Sequence, residues 1–149
     1  MRRPGDRRDD PVTLPDEGRL IVDAMNVLAS RPDGWWRDRT AAVARLLTEL
    51  QPVGARRAGP VLLVVEGRAG AALHAGSHGD VEVVHATRVG RDAADDRIVA
   101  LLEQRPTRAT DGAATDTVVT ADRALRDRAQ QLGARVLGPS LLLRQLTTK

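Results

Sequence analysis

The sequence predicts one α/β domain on a parallel sheet of about five strands, covered on both faces. Two observations carry that prediction. Short apolar segments alternate with segments of helical periodicity along most of the chain. The best of the apolar segments are apolar on both faces, as strands sandwiched between two helical layers must be. The 149 residues suit a single domain with a real core. With two Trp and neither Phe nor Tyr, that core has to be made of Val, Leu, Ile and Ala.

Residues 1–18 mix four Arg, five acids and three Pro without a period, and read as a disordered leader ahead of a domain over 19–149. Arg19 to Asp23 reads as a buried strand, with a loop directly after it. Trp35 to Leu50 reads as a helix with Trp36, Val43, Leu46, Leu47 and Leu50 on its inner face. Pro60 to Glu66 and Asp80 to His85 read as strands. The Gly- and Ala-rich stretch between them is either a short helix or a loop. Asp92 to Gln104 has helical spacing, with Ala94, Ile98, Leu101 and Leu102 inward; an exposed loop follows over Pro106 to Ala114. Asp116 to Thr120 is a strand, Asp122 to Leu132 a helix stopped by Gly133, Arg135 to Leu137 a short strand, and Pro139 to Leu146 a last helix opened by Pro.

Composition excludes several classes. There is no Cys, so disulfides and thiolate metal sites are out, and a metal would need oxygen or imidazole ligands. No apolar run approaches the ~20 residues that span a bilayer, and the charged N-terminus has no signal-peptide apolar region; a cytoplasmic protein with no membrane partner is expected. The cations are nearly all Arg, which grips phosphate bidentately, and the net charge of +3 permits nucleic-acid binding without demanding it. The Arg- and Ala-rich, Lys-poor composition fits the coding bias of a GC-rich bacterial genome.

Acids gather where ligands bind in such sheets, beyond the carboxyl ends of the strands. Asp23 ends the first strand, Glu66 the second, and Asp122 follows the fourth by two positions. Asp92, Asp95 and Asp96 open the helix after the third. Asp95 continues the stripe of Ile98, Val99 and Leu102 toward the sheet, whereas Asp96 continues Ala100 and Glu103 outward. Asp92 and Asp95 are either a capping box or part of an acid group, and Asp122 is either an N-cap or a site residue. Two carboxylates about 5 Å apart repel by roughly 3 kcal/mol at an effective dielectric near 20. Three that converge need protons or a cation, and hard carboxylate oxygens suit Mg²⁺ or Mn²⁺, ions that also bring phosphate substrates. Asn26, three residues past Asp23, either orients that acid or a water, or caps a turn.

The spacing of Asp23-x-x-Asn26, Ala94-Asp95-Asp96-x-Ile98 and Val118-Val119-Thr120-Ala121-Asp122 resembles the NYN domain family, in particular its YacP-like branch, among the PIN-like nucleases. Ala24 and Ala121 stand where the family usually has glycine and serine, and Asp92 to Ile98 fits the second motif loosely. Ser30 to Arg39 looks like an actinobacterial subgroup of these proteins. The resemblance spans Arg19 to Leu146. It implies a PIN-like three-layer α/β/α fold with strand order 3-2-1-4-5 and a Mg²⁺ or Mn²⁺ site. Asp23, Asp95 and Asp122 would be ligands supported by Asn26, and Glu66 and Asp92 would be further acids.

Around the acids, Arg31, Trp35, Arg37, Arg39, Arg91 and Arg97 are candidates to hold RNA, the Arg on phosphates and Trp35 under a base; Trp36 is expected in the core. Arg91 and Arg97 equally suit neutralising neighbouring Asp. His74 and His78 have the spacing of a helical metal pair, but a surface loop accounts for them better. Three functions compete: a metal-dependent ribonuclease, a non-catalytic RNA- or ribosome-binding module, and a nucleotide phosphohydrolase. Monomer and homodimer both remain open.

Overall fold

The computed structural model describes residues 14–31, 34–66, 73–86, 93–104 and 115–147. Its strands are β1 (Leu20–Asp23), β2 (Val61–Val65), β3 (Gly76–His78), β4 (Val81–His85), β5 (Thr117–Val119) and β6 (Arg135–Leu137). The helices are α1 (Ala24–Ala29), α2 (Arg39–Arg56), α3 (Ala93–Glu103), α4 (Arg123–Gln131) and α5 (Pro139–Thr147). Side chains alternate across a strand, and here that alternation makes two cores. Leu20 and Val22 of β1, with Val61, Leu63 and Val65 of β2, pack against α1, α2 and α5. Ile21, Leu62, Val64 and Val118 face the other way, onto Ile98, Leu102, Leu125 and Ala129 of α3 and α4. Three layers result, α/β/α, as the sequence leads one to expect.

The sheet order is β3-β4-β2-β1-β5-β6. Every pairing is parallel except that of β3 with β4. Leaving out β3, the order is the implied 3-2-1-4-5. The sixth strand comes from the Gly- and Ala-rich stretch, which is neither helix nor plain loop over residues 76–78. It turns back on β4 through Gly79, whose φ of +66° suits glycine. Gln51 of α2 secures this turn, accepting from the Asp80 N–H at 2.8 Å and donating to the His78 carbonyl at 2.7 Å. Gly54 lies against the same turn, and a Cβ there would sit 2.1 Å from the Asp80 carbonyl oxygen. Gly54→Ala is therefore expected to cost about 1–3 kcal/mol or more, read as a lower denaturant midpoint at unchanged m-value.

Three other expectations change. No loop follows β1, because the chain passes straight into α1. The helix expected from Trp35 is broken: Trp35–Arg37 form a 3-10 turn, entered through Gly34 at φ +76°. α2 begins afresh behind Asp38, whose side chain accepts the Ala41 N–H at 3.0 Å. Residues 14–18, expected in the leader, are tied to the domain. Leu14 packs on the core. The Arg57 guanidinium donates to the carbonyls of Pro15, Glu17 and Gly18 at 2.9–3.3 Å, and burial lowers its pKa. Residues 1–13 and the expected loop over 106–114 lie outside the described residues. At the amino edge, Arg19 grips the buried Asp116 through both carboxylate oxygens and joins the starts of β1 and β5. Among the described residues, no helix is long and apolar enough to cross a membrane.

Candidate active site

At the opposite edge β1 ends on Asp23, which is only 4% exposed although charged groups belong at the surface. Its position is forced: register with β2 and β5 holds the strand between two neighbours, and α1 starts one residue later. Thr120, fully buried just past β5, donates its hydroxyl to Asp23 Oδ2 at 3.1 Å. The same oxygen, Thr120 Oγ1, accepts the Asp122 N–H at 3.1 Å. The Asn26 amide N–H eases the Asp23 charge without completing a capping bond. The Asn26 side chain turns elsewhere: its Oδ1 accepts the Ala121 N–H at 2.6 Å, clamping α1 to the loop before α4.

Burial, with the charges of Asp95 and Asp122, pushes the pKa of Asp23 from 3.8 up to about 7; the Thr120 hydroxyl and the Asn26 N–H only partly offset this. Side chains remote in sequence thus act on one carboxyl group. Asp122 also caps α4, its Oδ1 accepting the Leu125 N–H at 2.9 Å. The N-cap reading of that residue therefore holds, and a capping carboxylate still has lone pairs to spare. Asp95 is half-buried at the start of α3, while Asp96 pairs with Arg128 of α4 at 3.3 Å. Glu66 stands apart: burial raises its pKa, and the charge it faces is that of Arg39. Asp92 and Arg91 lie outside the described residues.

The cations sort unevenly. Arg31, a candidate phosphate ligand, holds Glu49 through its guanidinium at 2.7 Å with little exposure. Arg37 and Arg39 are exposed and lie over the rings of Trp36 and Trp35 at 5.9 and 5.5 Å. Arg97 keeps its Nε buried without a hydrogen-bond partner among the described residues. The two Trp exchange the roles expected of them. Trp35 packs against the core, and Trp36 is 56% exposed, since the 3-10 turn does not continue the face of α2. The His residues serve the hairpin: His78 Nε2 bonds the His74 carbonyl at 2.7 Å and His85 Nε2 that of Leu73 at 2.8 Å.

Thr120 escaped sequence reasoning as a site residue. Its signal was slight, a hydroxyl at the exit of an apolar strand two positions before an acid.

Hard oxygen donors around an acid that resists ionisation suit Mg²⁺ or Mn²⁺ chemically. As folded, no three His, Asp or Glu among the described residues are arranged to hold an ion by themselves. Mg²⁺ does not require such a cage, for it is commonly bound through one or two carboxylates, water and substrate phosphate.

The sheet order, the two helical layers and the acid-bearing edge define a PIN-like α/β/α fold. Crystal structures of Rae1 (YacP) from Bacillus subtilis have this YacP-like fold. A tryptophan-to-leucine mutant of that protein is similar with a TM-score of 0.68 and 20% identity, over 87% of this chain and 74% of that one. A second Rae1 structure gives 0.61 and 22%, over 85% and 72%. No protein-family model matches the sequence, and no curated protein sequence matches it.

Proposed function

We propose that the chain is a divalent-metal-dependent ribonuclease that hydrolyses RNA phosphodiester bonds at the carboxyl edge of its sheet. One observation carries this reading: a buried carboxyl group at the end of the central strand is held near pKa 7 by burial and by the charges of Asp95 and Asp122. Acids perturbed by burial and by neighbouring like charge cluster at functional sites, and a cation with a phosphate would relieve this one. The fold it shares with Rae1 (YacP) supports the assignment.

Mg²⁺ or Mn²⁺ would be held through one or two carboxylates of the group Asp23, Asp95 and Asp122, with water and the substrate phosphate as the other ligands. When bound, the ion supplies Lewis-acid polarisation of the phosphate and a more acidic water. The chain's own residues do the rest. Thr120 fixes Oδ2 of Asp23 and leaves Oδ1 to the site. Once deprotonated, that free oxygen faces the site as a hard donor. Asn26 holds the Ala121 backbone, which sets the approach of Asp122. Arg37 and Arg39 bind the phosphodiester backbone from the side of α2.

RNA incubated with Mg²⁺ or Mn²⁺ should be cut, and Asp122→Asn should slow cutting by at least tenfold. Asn caps helices as well as Asp, so this substitution removes charge and spares α4. Full activity in that variant refutes the assignment. An RNA-binding module without catalysis is the second reading, favoured by the lack of a ready-made ion cage among the described residues. It predicts salt-sensitive RNA binding that survives chelation and the loss of every acid. Turnover of mononucleotides with polymers left intact would select a phosphohydrolase instead.

A further inference from the structure

Trp36 is the only exposed large hydrophobic among the described residues. Its surroundings are built rather than incidental. Trp35, anchored in the core, meets it edge-to-face at 6.4 Å and 89°, which holds the outer ring in one orientation. The Arg37 guanidinium lies 5.9 Å from the Trp36 ring centre. Beside this pair opens a cavity of about 190 Å³ lined by Gly34, Trp35, Arg37, Asp38, Ala42 and Arg45, among others. It is smaller than the roughly 300 Å³ at which pockets for drug-sized ligands begin, so it takes a single planar ring system at most. Arg39 lies over the Trp35 ring and its charge acts on Glu66, just past the carboxyl end of β2, so Trp35 neighbours that end of the strand. An exposed indole with the Arg37 guanidinium over it, and Arg39 over the neighbouring Trp35 ring, offers stacking and positive charge together, and an unpaired nucleotide answers both.

We propose that Trp36, Arg37 and the adjoining cavity form a nucleotide-binding subsite, where Trp36 stacks on an unpaired base and the Arg side chains hold the neighbouring phosphate. It deepens the nuclease reading, in which the strand reaches from this subsite toward Asp23, but its binding needs no metal and no cleavage.

The two Trp are the only Trp or Tyr in the full chain, so intrinsic fluorescence reports on this patch alone. The full-length protein is titrated in EDTA with a single-stranded RNA 10-mer and with an abasic strand of equal charge. The RNA should quench the fluorescence and the abasic strand should not. With a dye-labelled 10-mer, Trp36→Leu should weaken binding roughly five- to hundredfold, the range that goes with one lost stacked base. Trp36→Phe should restore much of the loss, and circular dichroism should be the same for all three proteins. Equal affinity for the abasic strand, or wild-type affinity in Trp36→Leu, overturns the subsite. Quenching without metal-dependent cleavage would sustain the subsite and sink the nuclease; cleavage without quenching would do the reverse.

Discussion

Asp23→Asn is expected to make the protein more stable at pH 8 while abolishing RNA cleavage. The substitution keeps shape and leaves an oxygen to accept the Thr120 hydroxyl, but removes a charge that burial, Asp95 and Asp122 all oppose. The sign follows from the two states. The unfolded chain loses this proton near 3.8 and the folded protein near 7. Between those values the folded state holds a proton the unfolded state has released, so Asp23's contribution to stability falls as pH rises from about 4 to 7 and is flat above. A shift of this size corresponds to about 4 kcal/mol once ionisation is complete. In thermal melts the variant should gain on the order of 10 °C at pH 8 and nothing at pH 4. A loss of stability at pH 8 would mean that the Asp23 charge is already compensated, and the electrostatic basis of the site would go with it. A gain in stability bought with function is what a strained active-site group predicts.

What could be read from the sequence divides along physical lines. Val61 to Val65 and Leu20 to Asp23 are buried on both faces, so composition alone marks them as central strands. Gly76 to His78 has no such mark, because an edge strand of three residues is held by backbone pairing with β4, by Gln51 and by the His78 ring on the His74 carbonyl, not by apolar side chains. The helix break at Asp38 was hidden for a related reason. Trp36 to Leu50 keeps an apolar period across the break, and only the Asp38 cap and the turn after Gly34 show that the period spans two elements. The reversal of Trp35 and Trp36 follows directly. Among site residues, Asp23 stood out because strands disfavour Asp. Thr120 did not, for Thr is an ordinary strand residue, and its role lies in contacts with Asp23 and Asp122 that only folding creates. Nor does the sequence show that α2 brings Glu49 to Arg31, a pairing across 18 positions.

Adding Mg²⁺ or Mn²⁺ at pH 8 is expected to raise the melting temperature of the wild-type protein, and chelation should reverse it. An ion that binds only the folded state at a hundredfold excess over its Kd adds about 2.7 kcal/mol. The same ion should leave Asp23→Asn unmoved, since the relief it offers is relief of the Asp23 charge. Because folded Asp23 retains its proton until about pH 7, the ion has to displace that proton below neutrality. Its apparent affinity should then weaken by about tenfold per pH unit from pH 7 down to pH 5, and calorimetry in two buffers of different ionisation enthalpy should detect the released proton. A melting temperature indifferent to both ions at pH 8 would take the cation out of the site. Asp23 would then remain an acid held near neutrality with no counter-ion, and metal-free RNA binding would be the reading left to test.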